Sequence, residues 1–421
     1  MLHLKAATRR IRVSWRTPRL RSSWTLTSRV VMACLIIAIV QNIVYGIFPC
    51  CFDFKHRKFV FCKTLAIYCF SVATLIGAFY VTQIWVAYTE NKIDLRDPIQ
   101  IYCYMNLCVA LLNYVTQWAI IPEILSFQNS LPLFSTLDSF TISLRSVGRA
   151  TSLASLKMFV CPLLMHLALI IYQRHRQPEL SWASTGKIML PIYLGNQLNN
   201  CFFGGIVITK IVLVEINRRL REIRNEVNRL QTPLELLLQK PYYRMQRFCD
   251  LADRLDELAS KYALSTGRSM AYLLLTAFSL VSSMAINLFI TTLGFYTQYQ
   301  AFADHILLEE TYDIARALAH LVFLVVPFTE ICLVARVSQQ VLDEAKETGD
   351  LLQRINLEHA DVRFKQAVDA LWLEVNTIKY KLMPMGLLEL DGSLINKIFS
   401  TVAGFLLFLI QNDLTQRFSL K

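Results

Sequence analysis

Charged side chains are scarce in this chain, at 18% of its 421 residues, where an ordinary soluble domain carries about a quarter. Glycine is scarce too, at 13, and no phosphate-cradling glycine loop, His-Glu-x-x-His or Gly-x-Ser-x-Gly occurs. Those gaps remove the common catalytic frameworks, so no catalytic residue is assigned. The eleven cysteines contain no Cys-x-x-Cys and have no histidine cluster beside them. No metal site and no cofactor are therefore expected, and cysteines inside apolar runs act as small hydrophobes. No Asn-x-Ser/Thr sequon is present to mark an external loop. A cleavable signal peptide does not fit either, because the basic leader and the apolar run after it are both too long.

What is abundant is apolar residues, at 54%, gathered into long stretches without Lys, Arg, Asp or Glu. About 20 such residues cross the hydrocarbon layer. Val30–Phe52, Thr64–Thr89, Pro98–Pro122, Met158–Gln173, Ile188–Thr209, Ser269–Ala303, Ala317–Thr329 and Ile398–Asn412 are the candidates. The net charge is +12, yet nucleic acid is not the expected partner. Eight basic residues and no acid lie within residues 1–29, which fits a cytoplasmic flank against anionic lipid.

Lysine and arginine counts arbitrate how many runs cross. Residues 298–313 carry four acids and no lysine or arginine, so they belong outside. Lys55, Arg57, Lys58 and Lys63 put 53–63 inside, and eleven basic residues put 215–270 inside. Both flanks of 30–52 are then internal, so that segment dips into the membrane or lies on it. Seven crossings follow, at 64–88, 99–121, 157–173, 188–213, 270–297, 314–335 and 396–412. The expected fold is all-α, a polytopic membrane protein with its N-terminus inside and its C-terminus outside. Its parts are a basic terminus 1–29, a membrane-associated segment 30–52, spans one to four in 64–214 and a cytoplasmic helical extension 215–269. Spans five and six in 270–335, a cytoplasmic helical region 336–395, a last span 396–412 and an external tail 413–421 complete it. The loop 174–187, with Arg174, Arg176 and Lys187, runs against the charge rule.

Ile216, Leu220, Ile223, Val227 and Leu230 form one helical stripe, echoed at Leu251, Leu255, Leu258 and Tyr262. A third pattern runs through Ala345, Leu352, Ile355, Val362 and Val368. Spans four to six are expected to continue as helices into the cytoplasm, either solvated or packed on one another and on other subunits.

The last run reads Gly404-Phe405, five hydrophobic residues Leu406–Ile410, then Gln411-Asn412. It resembles the signature of insect gustatory receptors, Thr-Tyr, five hydrophobic residues and Gln-Phe, with Gly404 in place of Thr and Asn412 in place of Phe. Gly46-Ile-Phe-Pro49 and Gly386-Leu-Leu-Glu-Leu-Asp391 resemble further stretches of that family, nearest its divergent bitter-type members. The resemblance implies a ligand-gated cation channel in the plasma membrane of chemosensory neurons. It implies a tetramer, of one subunit or of related ones, with the last helix lining the pore and a small-molecule tastant bound inside each subunit. An odorant receptor of the same superfamily, a G-protein-coupled receptor and a transporter are the rival readings.

Gln411, Leu407 and Gly404 share a helix face. With Phe408 they are the pore candidates, since amide rings can replace hydration and apolar rings can gate by dewetting. For a bitter ligand the pocket candidates are aromatic and polar residues in the outer halves of the spans. They are Tyr102, Tyr104, His166, Tyr193, Tyr296 and Tyr312, with Arg316 and His320 one turn apart. Residue by residue, an interfacial anchoring belt or simple packing is the better account of such aromatics. Glu330 and Lys210 are expected to snorkel from inner span ends.

Overall fold

A computed structural model describes residues 26–53, 58–90, 98–129, 144–176, 182–238, 240–308, 314–377 and 380–419. Among them, seven helices are long and apolar enough to cross a membrane. They are α2 (Lys63–Thr89), α3 (Pro98–Asn129), a third built from α4 (Leu144–Ser155) and α5 (Cys161–Arg176), α6 (Trp182–Leu230), α8 (Pro241–Leu308), α9 (Ile314–Gln353) and α11 (Ser393–Ser419). Ahead of them lie α1 (Leu26–Val44) and a small antiparallel hairpin, β1 (Cys50–Asp53) on β2 (Lys58–Phe61), with Cys51 opposite Val60. The short α7 (Pro233–Leu238) and α10 (Val362–Thr377) complete the helices. The hairpin is the one departure, among the described residues, from the all-α expectation.

The membrane cannot account for the length of three of these helices. At 1.5 Å per residue, the 68 residues of α8 reach about 100 Å, the 49 of α6 about 74 Å and the 40 of α9 about 60 Å. Their excess lies in the stripes seen in the sequence. Ile216, Leu220, Ile223 and Val227 of α6 meet Leu251, Leu255, Leu258 and Tyr262 of α8, all buried in one core that also takes Val341, Ala345 and Leu352 of α9. Phe364 and Phe248 pack with tilted rings 5.7 Å apart to dock α10 on α8. Each buried Leu or Ile contributes about 1.5–3 kcal/mol, so this bundle is a packed unit and not a solvated connector. Val362, placed in the third stripe by spacing, stands exposed at the first position of α10.

Three helices extend beyond the crossings read in the sequence. The third helical stretch starts at Leu144, ahead of 157, because α4 is amphipathic and its Arg145 and Arg149 hide it from a search for uncharged runs. The fourth begins at Trp182, ahead of 188. The last runs on to Ser419 instead of stopping at Asn412, for a reason found at Asp413 below. Proline sets several helix starts, at Pro98, Pro233 and Pro241, where no intrahelical donor is lost. Pro122, Pro191 and Pro327 instead lie inside helices, where each breaks a backbone bond and leaves a compliant point.

Gly46 has φ +72°, and its N–H bonds Ile43 as the chain turns from α1 toward the hairpin. A Cβ there would also stand 2.9 Å from the Cys69 carbonyl of α2. Only glycine meets both demands. A second close approach is Gly294 of α8, where an added Cβ would fall 2.0 Å from Cδ2 and 2.8 Å from Cγ of Leu324 in α9.

Candidate functional site

Two features of this fold have a chemistry that packing does not explain. The first is α11. It buries Leu394, Ile398, Val402 and Asp413 along one edge. At about 100° per residue, the opposite face carries Ser400, Gly404, Leu407, Gln411 and Phe418, all exposed. Lys397 and Thr415 flank that line and are also exposed. By contrast α2, equally open, exposes mainly large apolar side chains, Ile67, Phe70, Leu75, Val81 and Trp85, and the hydroxyls of its exposed Thr74 and Thr82 bond back to the Phe70 and Phe79 carbonyls. That suits lipid, whereas the open amide of Gln411 in line with Ser400 and Gly404 does not. Phe408 lies about 60° round the helix from Gln411, and Phe405 about 120° round, on the flank.

Both ends of α11 are tied down. At its N-terminal end the Asp391 carboxylate accepts from Ser393 Oγ at 2.6 Å and from the Leu394 N–H at 3.2 Å, a helix N-cap. The Gly392 N–H donates to Gln339 Oε1 of α9 at 2.8 Å. At its C-terminal end Asp413 accepts from Arg417 Nε at 2.7 Å and from the Tyr299 hydroxyl at 3.3 Å, while Arg417 also pairs with Asp304 at 2.7 Å. The acid that ended the uncharged run is thus neutralised within its own helix, and the helix continues. Replacing Asp391 by alanine should destabilise the purified receptor by about 1 kcal/mol, read as a lower melting temperature in detergent. The Ser393 hydroxyl, with the Leu394 N–H, holds the Asp391 carboxyl below its ordinary range. The cap should therefore be fully present above about pH 4, the unfolded carboxylate value, and fade only as pH falls through the lower folded value.

The second feature is a polar seam through the apolar bundle. Tyr102 of α3 is 1% exposed, and its hydroxyl donates to Asn287 Oδ1 of α8 at 3.1 Å. Ser283 of α8 donates to Asn196 Oδ1 of α6 at 2.9 Å, and Asn113 of α3 donates to the Gly195 carbonyl at 3.1 Å. Lys157, Asn200 and Glu330 extend the seam. Asn113 Oδ1, Gln117 Oε1, Gln197 Nε2, Asn199 Oδ1 and Ser279 Oγ are buried with no protein partner. An unmatched buried polar atom costs about 1–3 kcal/mol, so such a row points to water or a polar ligand along the seam.

The sequence candidates fall on different parts of this picture. Tyr102 is in the seam. Tyr193, half-buried, donates to the Pro162 carbonyl at 3.4 Å, and Tyr104 and His166 are half-buried on α3 and α5. Tyr296 stacks on Tyr299 at 6.1 Å and accepts from Gln300, near the C-terminal clamp of α11 and away from Tyr102. Tyr312 lies outside the described residues, and of Arg316 and His320 only the helical backbone is described. Glu330 does not snorkel. It is 4% exposed and faces Lys157, while Lys210 donates to Gln340 of α9 at 2.7 Å. Gln197, Asn199 and Asn200 of α6 were missed. Their signal was the run Asn196-Gln197-Leu198-Asn199-Asn200, which puts four amides in mid-span.

These features define a class, a seven-span helical membrane protein whose span bundle continues into a packed helical extension. Residues 40–416 match the family of 7tm chemosensory receptors. The chain is 50% identical to Drosophila melanogaster gustatory receptor 97a over 426 aligned positions, covering all of both proteins. It is 39% identical to gustatory receptor 94a of the same fly, covering 87% of this chain and 91% of that protein. Among solved structures it is similar to the insect olfactory receptor OR5 from Machilis hrabei in complex with eugenol. That match has a TM-score of 0.60 and 11% identity, and covers 91% of this chain and 99% of that one. The chain therefore belongs to the chemosensory receptor family of insects, among its gustatory receptors.

Proposed function

We propose that this receptor is itself a ligand-gated cation channel, formed by four subunits whose α11 helices surround a common axis. The observation that carries this reading is the polar strip Ser400–Gly404–Gln411 on the exposed face of a membrane-length helix, set against α2, whose exposed face is dominated by large apolar side chains. Such a strip is stable facing water or copies of itself, not lipid. Gln411 and Leu407 then form an amide ring and an apolar constriction, with Gly404 and Phe408 beside them. The neighbours are one kind of subunit or related receptors.

The ligand in this reading is a small, mainly apolar tastant of the bitter class. It enters the bundle beside Tyr104, His166 and Tyr193, and its polar groups meet the orphaned amides of the seam. The basic leader and the α6–α8–α9 extension are cytoplasmic, the C-terminus is external, and the site of action is the plasma membrane of chemosensory neurons. Expression in cells lacking other chemoreceptors, alone and with related subunits, tests this under a broad panel of bitter compounds. Cation current that persists when G-protein signalling is blocked is the expected result. Silence in every combination, with the protein at the surface, would falsify the channel reading.

A further inference from the structure

Lys157 and Glu330 stand on different spans, with side chains 2% and 5% exposed, and their charges are 3.6 Å apart. Lys157 also donates to Asn200 Oδ1 at 3.1 Å and lies 5.8 Å from the ring of Phe203. One ammonium therefore joins three helices. It reaches them from a π-helical turn, Leu156–Val160, that links α4 to α5, and the Cys161 N–H bonds back to the Leu156 carbonyl. Turns of this kind are rare and concentrate at functional positions.

Stability gives no reason for the pair. Burying two ions costs several kcal/mol each, and well-packed apolar residues of similar volume hold a core as well or better. What the pair fixes is the position of α9. Pro327, three residues before Glu330, makes that helix compliant at this level. Phe328, between them, packs edge-on against Phe399 of α11, with ring centres 5.0 Å apart and planes at 75°. Phe399 is next to Ser400, which begins the polar strip. On its other side Glu330 faces Lys157, which bonds Asn200 in the seam. The polar seam and the exposed face of α11 thus meet through one short stretch of α9.

We propose that Lys157 and Glu330 form a latch that holds α9, hinged at Pro327, where Phe328 keeps Phe399 and α11 in the resting position. The proposal rests on the channel reading for its electrical readout. Both residues are positioning residues, acting on the pore through Phe328 and Phe399.

The test uses the full-length receptor and compares ligand-free cation leak at equal surface amounts. Lys157→Met and Glu330→Gln should each raise the leak by about 5- to 150-fold, the span of ordinary allosteric couplings. The exchange Lys157→Glu with Glu330→Lys should bring it back toward the parent. Phe399→Ala should raise the leak as well, and Lys157→Met added to it should have little further effect. A single variant can misfold because it strands a buried charge, so the apolar pair Lys157→Met with Glu330→Met is included. It should reach the surface and leak. Parental leak from that pair, or independent effects of Lys157 and Phe399, would overturn the latch. If the parent never conducts, the channel reading fails separately, and disulfide trapping still reads the latch. In an F328C/F399C background the trapping yield should fall when the apolar pair is added. An unchanged yield would overturn the proposal.

Discussion

Replacing Gln411 by lysine should reduce cation current about a hundredfold without lowering the amount of receptor at the surface. The face is exposed, so nothing in the subunit must repack to take the longer side chain. In a four-fold ring, each ammonium stands about 6 Å from an ion on the axis, and each repels it by about 0.7 kcal/mol even at the dielectric of water. Four of them sum to close to 3 kcal/mol, or roughly two powers of ten. Gln411→Ala should be milder, altering relative permeability while conduction persists. Phe405→Ala, about 120° round the helix, should leave permeation alone. The measurement is single-channel conductance and reversal potential in mixed cation solutions. Unaltered permeation in the lysine variant would remove this face of α11 from the ion path.

The second large effect is expected at the crossing of α8 and α9. Gly294→Ala puts a methyl group where Leu324 already stands, with Cγ as well as Cδ2 inside contact distance. Turning the terminal bond leaves Cγ in place, so the whole side chain or the helices must shift. Overpacking of this kind costs about 1–3 kcal/mol. Small residues at helix crossings are also what allows helices to associate where apolar burial gives no driving force. The variant should therefore melt earlier in detergent and reach the surface in smaller amounts. Leu324→Ala added to it should restore both, since the second change supplies the volume that the first one takes. A double variant no better than the single would show that the glycine serves another purpose, such as flexibility of α8.

How much of this was visible in the sequence depends on the range of the interaction. The stripe Ile216–Val227 and its echo at Leu251–Tyr262 were legible because a helix repeats its buried face every three to four residues. Both proved to be core. The exposed line Gly404–Leu407–Gln411 follows from the same periodicity. Val362 had a fitting spacing but sits at a helix start, where no neighbour covers it. The search for uncharged runs stopped the last helix short at Asp413, where the charge is paired locally with Arg417. Lys157 and Glu330 could not be matched at all. They are far apart in the chain, each resembles a flanking charge of its own span, and only the three-dimensional packing makes them partners. Gly46 could be recognised from its motif, but its positive φ and its contact with Cys69 could not.

The unbroken course of α8 restricts how this lineage can change length. Adding or deleting one residue in a continuous helix turns everything beyond it by about 100° and shifts it by about 1.5 Å. In α8 that would carry Leu251, Leu255 and Leu258 away from α6, or Ser283 and Asn287 away from the seam, depending on which end moved. Insertions should therefore accumulate in the connections around α8 and stay out of its 68 residues. Aligned relatives should differ there by substitution alone.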